Sequence, residues 1–157
     1  MAFDAFLKID GIPGESLDSK HKGEIDILSF SWGVTQAASQ ASGRVSSGRA
    51  DVQDFSVVKH LDKSSPLLFA AACHGDHIKQ AVFTLRKAGE SPLDFYKVTM
   101  SDVLISSVRP GGNAGGDGTS PMEEVSLNFG RLEISFTPQD ATGKPTNPVT
   151  TTCNSHR

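Results

Sequence analysis

Two stretches of this chain alternate apolar and polar side chains strictly, then shift the alternation by one residue. In GEIDILSFSWG, residues 23–33, Ile25 and Ile27 are followed by Leu28, Phe30 and Trp32. In VSLNFGRLEISF, residues 125–136, Val125, Leu127 and Phe129 give way across Gly130 to Leu132, Ile134 and Phe136. Successive strand side chains point to opposite faces, so a one-residue shift requires a bulge or a sharp bend. Glycine is the residue type expected at such a corner. A third stretch behaves alike, with Tyr96, Val98 and Met100 passing to Val103 and Ile105. Long strands that exchange their apolar face suit a closed or nearly closed antiparallel barrel better than a flat sheet.

Further strands follow from alternation at Phe3, Ala5, Leu7 and Ile9, at Phe55 and Val57, and at Ala81, Phe83 and Leu85. One segment, DKSSPLLFAAACHG, predicts a helix. Ser64 or Ser65 supplies the capping oxygen, Pro66 takes the first helical position, and Gly75 ends it in the left-handed conformation. From Leu67 to Cys73 it is apolar almost all round, as expected of a helix covered on more than one side. The fold class is therefore mainly β: an antiparallel β-barrel of two packed curved sheets with one flanking α-helix. Residues 1–137 form the barrel domain, and 138–157, rich in Pro, Thr and Asn, form a mobile polar tail. From Gln36 to Asp51 the chain is built of small polar residues without apolar period and reads as a long loop. Such loops are unusual in compact domains, and fully extended this one reaches about 50 Å, far enough to touch a neighbouring molecule.

At 157 residues a single domain buries roughly 70% of its unfolded surface, so a conventional core suffices. The 15 basic and 18 acidic residues nearly balance, which argues against nucleic acid as a partner and against an anionic membrane surface. The amino terminus MAFDAFLKIDG lacks the basic and apolar regions of a secretory signal, and no segment has the length of a membrane span. Two cysteines, Cys73 and Cys153, are too sparse for a disulfide-built fold.

Catalytic signatures are weak. Cys73-His74-Gly75-Asp76-His77 is the densest group of potential metal ligands, but no second ligand pair accompanies it. A hydrolase or metal-dependent enzyme using His74, Asp76 and His77 is the rival reading. No serine lies in a GxSxG elbow. The five glycines between Arg109 and Pro121 lack the Lys-Ser/Thr of a phosphate loop. A barrel holding a small ligand would need an apolar interior pocket. No cofactor or metal is expected. What remains is surface suited to contact between copies: edge strands, the apolar helix and the small-residue loop.

Eight blocks distributed in order between residues 3 and 136 complete the reading. They are Phe6-Leu7-Lys8-Ile9, Gly14-Glu15-Ser16, Glu24-Ile25-Asp26-Ile27-Leu28, Ser31-Trp32-Gly33, Asp62-Lys63-Ser64, Arg86-Lys87-Ala88-Gly89, Ser106-Ser107-Val108 and Val125-Ser126-Leu127-Asn128-Phe129. Together they resemble the hemolysin-coregulated protein (Hcp) family, the tube protein of bacterial type VI secretion. Phe30 stands where the family motif leads one to expect tryptophan, and the chain after Phe136 matches poorly. The resemblance implies a non-enzymatic subunit that forms homohexameric rings. The rings stack into a hollow tube that carries small secreted effectors in its lumen and works with sheath and spike components. It implies a protein of the bacterial cytoplasm that is then secreted without a cleaved signal peptide. On this reading Ser29 and Ser31 face the lumen and touch effectors, and Gln40, Ser42, Arg44, Val45 and Arg49 form the ring-stacking loop. Leu67, Leu68 and Ala71 of the helix lie at the subunit interface.

Overall fold

A computed structural model describes residues 2–41, 44–89, 91–115 and 120–155. In chain order the elements are β1 (Phe3–Ile9), β2 (Ile25–Ile27), β3 (Ser29–Ser31), β4 (Val34–Ala41), β5 (Arg44–Val52) and β6 (Phe55–His60). After these come α1 (Ser64–His74), β7 (Ile78–Lys87), β8 (Leu93–Gly111), β9 (Met122–Phe136) and β10 (Val149–Asn154). The main sheet is antiparallel, in the order β2-β1-β7-β8-β9-β6-β3. Its two terminal strands, β2 and β3, are consecutive in the chain. Leu28 is the single residue between them, so the two ends of the sheet are one piece of polypeptide and the sheet curls back on itself. The shift of apolar phase at Leu28 is this corner: Ile25 and Ile27 pair with β1, while Ser29–Ser31 pair with β6. The Leu28 N–H donates to the Val58 carbonyl at 2.8 Å and secures the turn.

The second expected corner spans two neighbouring strands. On β8 the buried side chains pass from Val98 and Met100 to Val103 and Ile105, and on β9 from Val125, Leu127 and Phe129 to Leu132. Asp102 and Gly130 lie level with each other at the change, between the pairs Ser101↔Arg131 and Val103↔Phe129. Asp102 has φ 54°, a left-handed conformation that aspartate tolerates better than most side chains. The corner is also where β9 exchanges partners. Its first half pairs with β6 and its second half with β10.

The interior is filled. Phe55 and Phe83 are fully buried with ring centroids 4.9 Å apart, Phe30 lies 4.8 Å from Phe83, and Trp32 lies 5.3 Å from Phe55. Phe30 thus packs into the aromatic cluster directly. A pair of opposite charges enters this core. Lys59 is 1% exposed, and its Nζ lies 2.5 Å from Glu123 Oε1, 3.0 Å from Asp62 Oδ1 and 3.3 Å from Ser65 Oγ. An ammonium has three protons to donate, and three oxygens meet them. Ser65 Oγ in turn donates to Glu123 Oε1 at 2.7 Å, which ties the first turn of α1 to the barrel.

Three expectations are corrected. Residues 36–51 are not a loop but the greater part of a β-hairpin, with β4 and β5 paired from Val34↔Val52 to Ala41↔Arg44. Between Gln36 and Ala38 the register shifts, so Gly48 and Arg49 oppose Ala37 alone. A Cβ on Gly48 would stand 2.4 Å from the Ala37 carbonyl oxygen, which accounts for the glycine. The final twenty residues, expected as a mobile tail, contain β10, hydrogen-bonded along β9 from Val149↔Phe136 to Asn154↔Arg131. Its threonines favour extended backbone although every side chain is exposed. The helix begins at Ser64, earlier than expected, and neither Ser64 nor Ser65 caps it. The Asp62 carboxylate receives the Ser64 N–H at 2.9 Å instead. Gly75 ends the helix with φ 65°, as its sequence requires.

Because Glu123 is equally buried, removing its cation strands a charge in the core. Lys59→Met is expected to destabilise the fold by about 3–5 kcal/mol, and Lys59→Met combined with Glu123→Leu to recover most of that loss. Urea unfolding followed by Trp32 fluorescence measures both.

Candidate functional site

Beyond the corner, β3, β6, the first half of β9 and the second half of β8 lie side by side as a four-stranded sheet. Its inner face carries Phe30, Phe55, Val57, Val125, Leu127 and Ile105 against the core. Alternation sends the intervening residues outward. In register across the four strands these are Ser31, Ser56, Ser126 and Ser107, one serine from each strand. The row is joined at its centre by a 2.8 Å hydrogen bond between the Ser56 and Ser126 hydroxyls. On one side of it runs Ser29, Val58, Glu124 and Arg109, in which the last two place opposite charges in register. On the other side Asp54 accepts hydrogen bonds from Ser106 Oγ at 2.6 Å and Asn128 Nδ2 at 2.8 Å. The result is a band of small neutral hydroxyls, each able to donate and accept.

Both margins of this four-stranded sheet are edges without a further strand partner among the described residues. β3 pairs only with β6, and β8 loses β7 beyond Val103. Among the described residues no strand pairs with the outer edge of either. Unpaired edges present rows of N–H and C=O groups that template further pairing.

Ser29 and Ser31 stand exposed on this face. Ser56, Ser107 and Ser126 were missed. Each is the polar member of an alternating run, but their meeting depends on cross-strand register between segments as many as 70 positions apart. The proposed stacking residues fall on the hairpin: Gln40 on β4, and Arg44, Val45 and Arg49 on β5. Ser42 lies outside the described residues. The helix assignment needs correction. Leu68 and Ala71 are 1% and 6% exposed and pack into this chain's own core, so they do not present a surface to another copy. Leu67 and Phe69, which flank Leu68 in sequence, are exposed. An all-apolar helix gives no periodicity from which to tell its two sides apart.

The rival catalytic group does not assemble. His74 Nδ1 lies 3.9 Å from Asp76 Oδ2, and His77 Nδ1 pairs with Asp102 Oδ1 at 3.2 Å, all four side chains being largely exposed. Among the described residues no set of three or more His, Cys, Asp or Glu side chains is placed to hold a metal ion. The strand β9, not a helix, follows the glycine-rich segment. No helix among the described residues is long and apolar enough to cross a membrane.

Comparison with known proteins converges on one family. The family described as "Type VI secretion system effector, Hcp" matches residues 6–136. Protein hcp1 of Pseudomonas aeruginosa is 43% identical over 152 residues, covering 95% of this chain and 93% of that one. Among solved structures, Hcp1 from Salmonella typhimurium superposes with a TM-score of 0.77 at 35% identity, over 98% of this chain and 95% of that one. A type VI secretion system effector from Yersinia pestis gives 0.79 at 33% identity, over 96% and 99%.

If the serine row is a surface for contact, its hydroxyls contribute little to folding. Ser126→Ala removes the bond to Ser56 and is expected to cost no more than about 1 kcal/mol in denaturant unfolding, the net worth of one half-exposed hydrogen bond.

Proposed function

We propose, from the premise that this chain belongs to the Hcp family of type VI secretion system proteins, that it is a non-enzymatic structural subunit of the secretion tube. Copies join edge to edge into a hexameric ring, and rings stack into a hollow tube working with sheath and spike components. The observation that carries this reading is the four-stranded sheet with two margins unpaired by strands and a serine-lined outer face. Pairing the β3 edge of one copy with the β8 edge of the next is a head-to-tail contact, and a head-to-tail contact whose rotation closes makes a ring. Edge pairing satisfies backbone groups that otherwise stay exposed.

In that ring the serine faces line the passage. Small neutral hydroxyls leave the bore wide and lightly charged, and they hold a passing effector by hydrogen bonds that exchange readily with water. Ser29 and Ser31 contact cargo on this reading, with Ser56, Ser107 and Ser126 alongside them. The protein assembles in the bacterial cytoplasm and leaves through the apparatus.

Negative-stain imaging of the purified chain is expected to show annular particles, and a species that stays monomeric at high concentration overturns the reading. Replacing Ser31, Ser56 and Ser126 together by lysine is expected to leave ring diameter unchanged while exported effector falls by roughly tenfold or more. Adding like charge around a confined path opposes entry of cationic cargo and alters that of every other. Unchanged export, measured by quantitative blotting of the culture supernatant, would separate the serine row from cargo contact.

A further inference from the structure

The chain as a whole is acidic, with a net charge of -3, yet one cleft on its surface gathers positive charge. It measures about 460 Å³ and lies where β1 ends, with Lys8, Lys20 and Lys22 in its lining. All three lysines are exposed. Among the described residues no carboxylate forms an ion pair with any of them. Glu24 is the acid in the lining, and it is turned to another partner: its Oε2 lies 2.9 Å from His21 Nδ1, and its side chain is 15% exposed. The cleft is thus net cationic, with its ammonium groups unanswered.

The frame around those lysines is fixed. In the segment between β1 and β2, the Gly14 N–H donates to the Gly23 carbonyl at 2.8 Å, the Ser16 N–H to the Glu24 carbonyl at 2.9 Å and the Gly23 N–H to the Ser16 carbonyl at 2.9 Å. The two runs approach so closely that a Cβ on Gly14 would stand 2.5 Å from the Glu24 carbonyl oxygen. His21, between Lys20 and Lys22, is buried and stacked on the Phe6 ring at 4.3 Å, with its Nε2 3.2 Å from Asp94 Oδ1. That anchor sets where both lysine stems leave the backbone. Lys8 lies two residues beyond Phe6 on β1, so alternation places it on the same side of the strand as His21. Like charges held together repel one another, and an anion that binds between them relieves the repulsion.

The chemistry of the lining selects the anion. A carboxylate brings one negative charge, whereas a phosphomonoester carries about -1.5 to -2 near neutral pH and presents three acceptor oxygens. Three ammonium groups match that charge and that number, and lysine binds phosphate as a point charge without needing a planar fork. Ile12 and Pro13 add an apolar wall. The volume falls within the roughly 300–1,000 Å³ of small-ligand pockets, which leaves room for a carbon body attached to the phosphate.

We propose that the Lys8/Lys20/Lys22 cleft is a binding site for a small phosphomonoester, with the lysines on its phosphate and Ile12 and Pro13 against its carbon body. The lining takes nothing from β3, β6, β8 or β9. The site therefore stands or falls independently of the ring reading.

Titration calorimetry of the purified full-length chain at low salt tests this with phenyl phosphate as the probe, beside inorganic phosphate and benzoate. Phenyl phosphate is expected to bind at least roughly tenfold more tightly than benzoate, which has the ring and a single charge. Inorganic phosphate, which lacks the apolar body, is expected to bind several-fold more weakly than phenyl phosphate. Lys20→Gln with Lys22→Gln is expected to weaken phenyl phosphate by roughly tenfold or more. Lys97→Gln with Lys144→Gln removes the same charge from exposed positions outside the cleft, and is expected to change binding by less than about twofold. Circular dichroism checks that both variants keep the native fold. Phenyl phosphate that fails to bind, that binds no tighter than benzoate, or that is weakened equally by the two variants overturns the proposal, the last because it shows only diffuse attraction. Inorganic phosphate that binds as tightly as phenyl phosphate overturns the ester in favour of the free anion. Ring formation is unaffected by any of these outcomes.

Discussion

Everything in this molecule depends on how one short stretch of chain serves both ends of the sheet. Three residues before Leu28 hydrogen-bond to β1 and three after it to β6. Because those two strands bound the rest of the sheet, a single bend converts an open ribbon of strands into a closed wall around the aromatic cluster of Phe55 and Phe83. Closure removes most sheet edges. It also determines where edges are left over, and two of them flank the serine-lined face.

The parts of the fold legible in the sequence are those in which burial is one-sided. Ile25 and Ile27, or Val125 and Leu127, contrast with their polar neighbours because one face meets the core and the other meets solvent. The two elements that escaped, β5 with its partner β4 and the strand β10, lack that contrast. β10 is exposed along its whole length, and no hydrophobic period arises where neither face is covered. Their signal lay in backbone features instead: threonine in 149–152, and a glycine at 48 where the opposite strand allows no side chain. The serine row was legible by half. Ser29 and Ser31 stood out as polar residues inside an apolar run, whereas Ser56, Ser107 and Ser126 join them only through register, which no local pattern discloses.

The corner at Asp102 and Gly130 divides labour between two parts of the same long strands. On one side of it, β8 and β9 belong to the four-stranded sheet with the serine row. On the other they carry β7 and β10. A strand pair that bends at one level in both members keeps its hydrogen bonds while turning its apolar face. The single chain therefore combines a closed core with a serine-lined outer face and two unpaired margins, which need only half of β8 and β9.

The buried pair of Lys59 and Glu123 has a bearing on this that reaches past stability. The two residues sit opposite each other in the β6–β9 ladder, the strands that contribute the central serines. Sliding β6 by one position against β9 would separate the charges within the core and, in the same movement, turn Ser56 inward and Val57 toward solvent. The ion pair acts as a parity check on the alignment, rejecting any pairing in which the wrong set of side chains faces out.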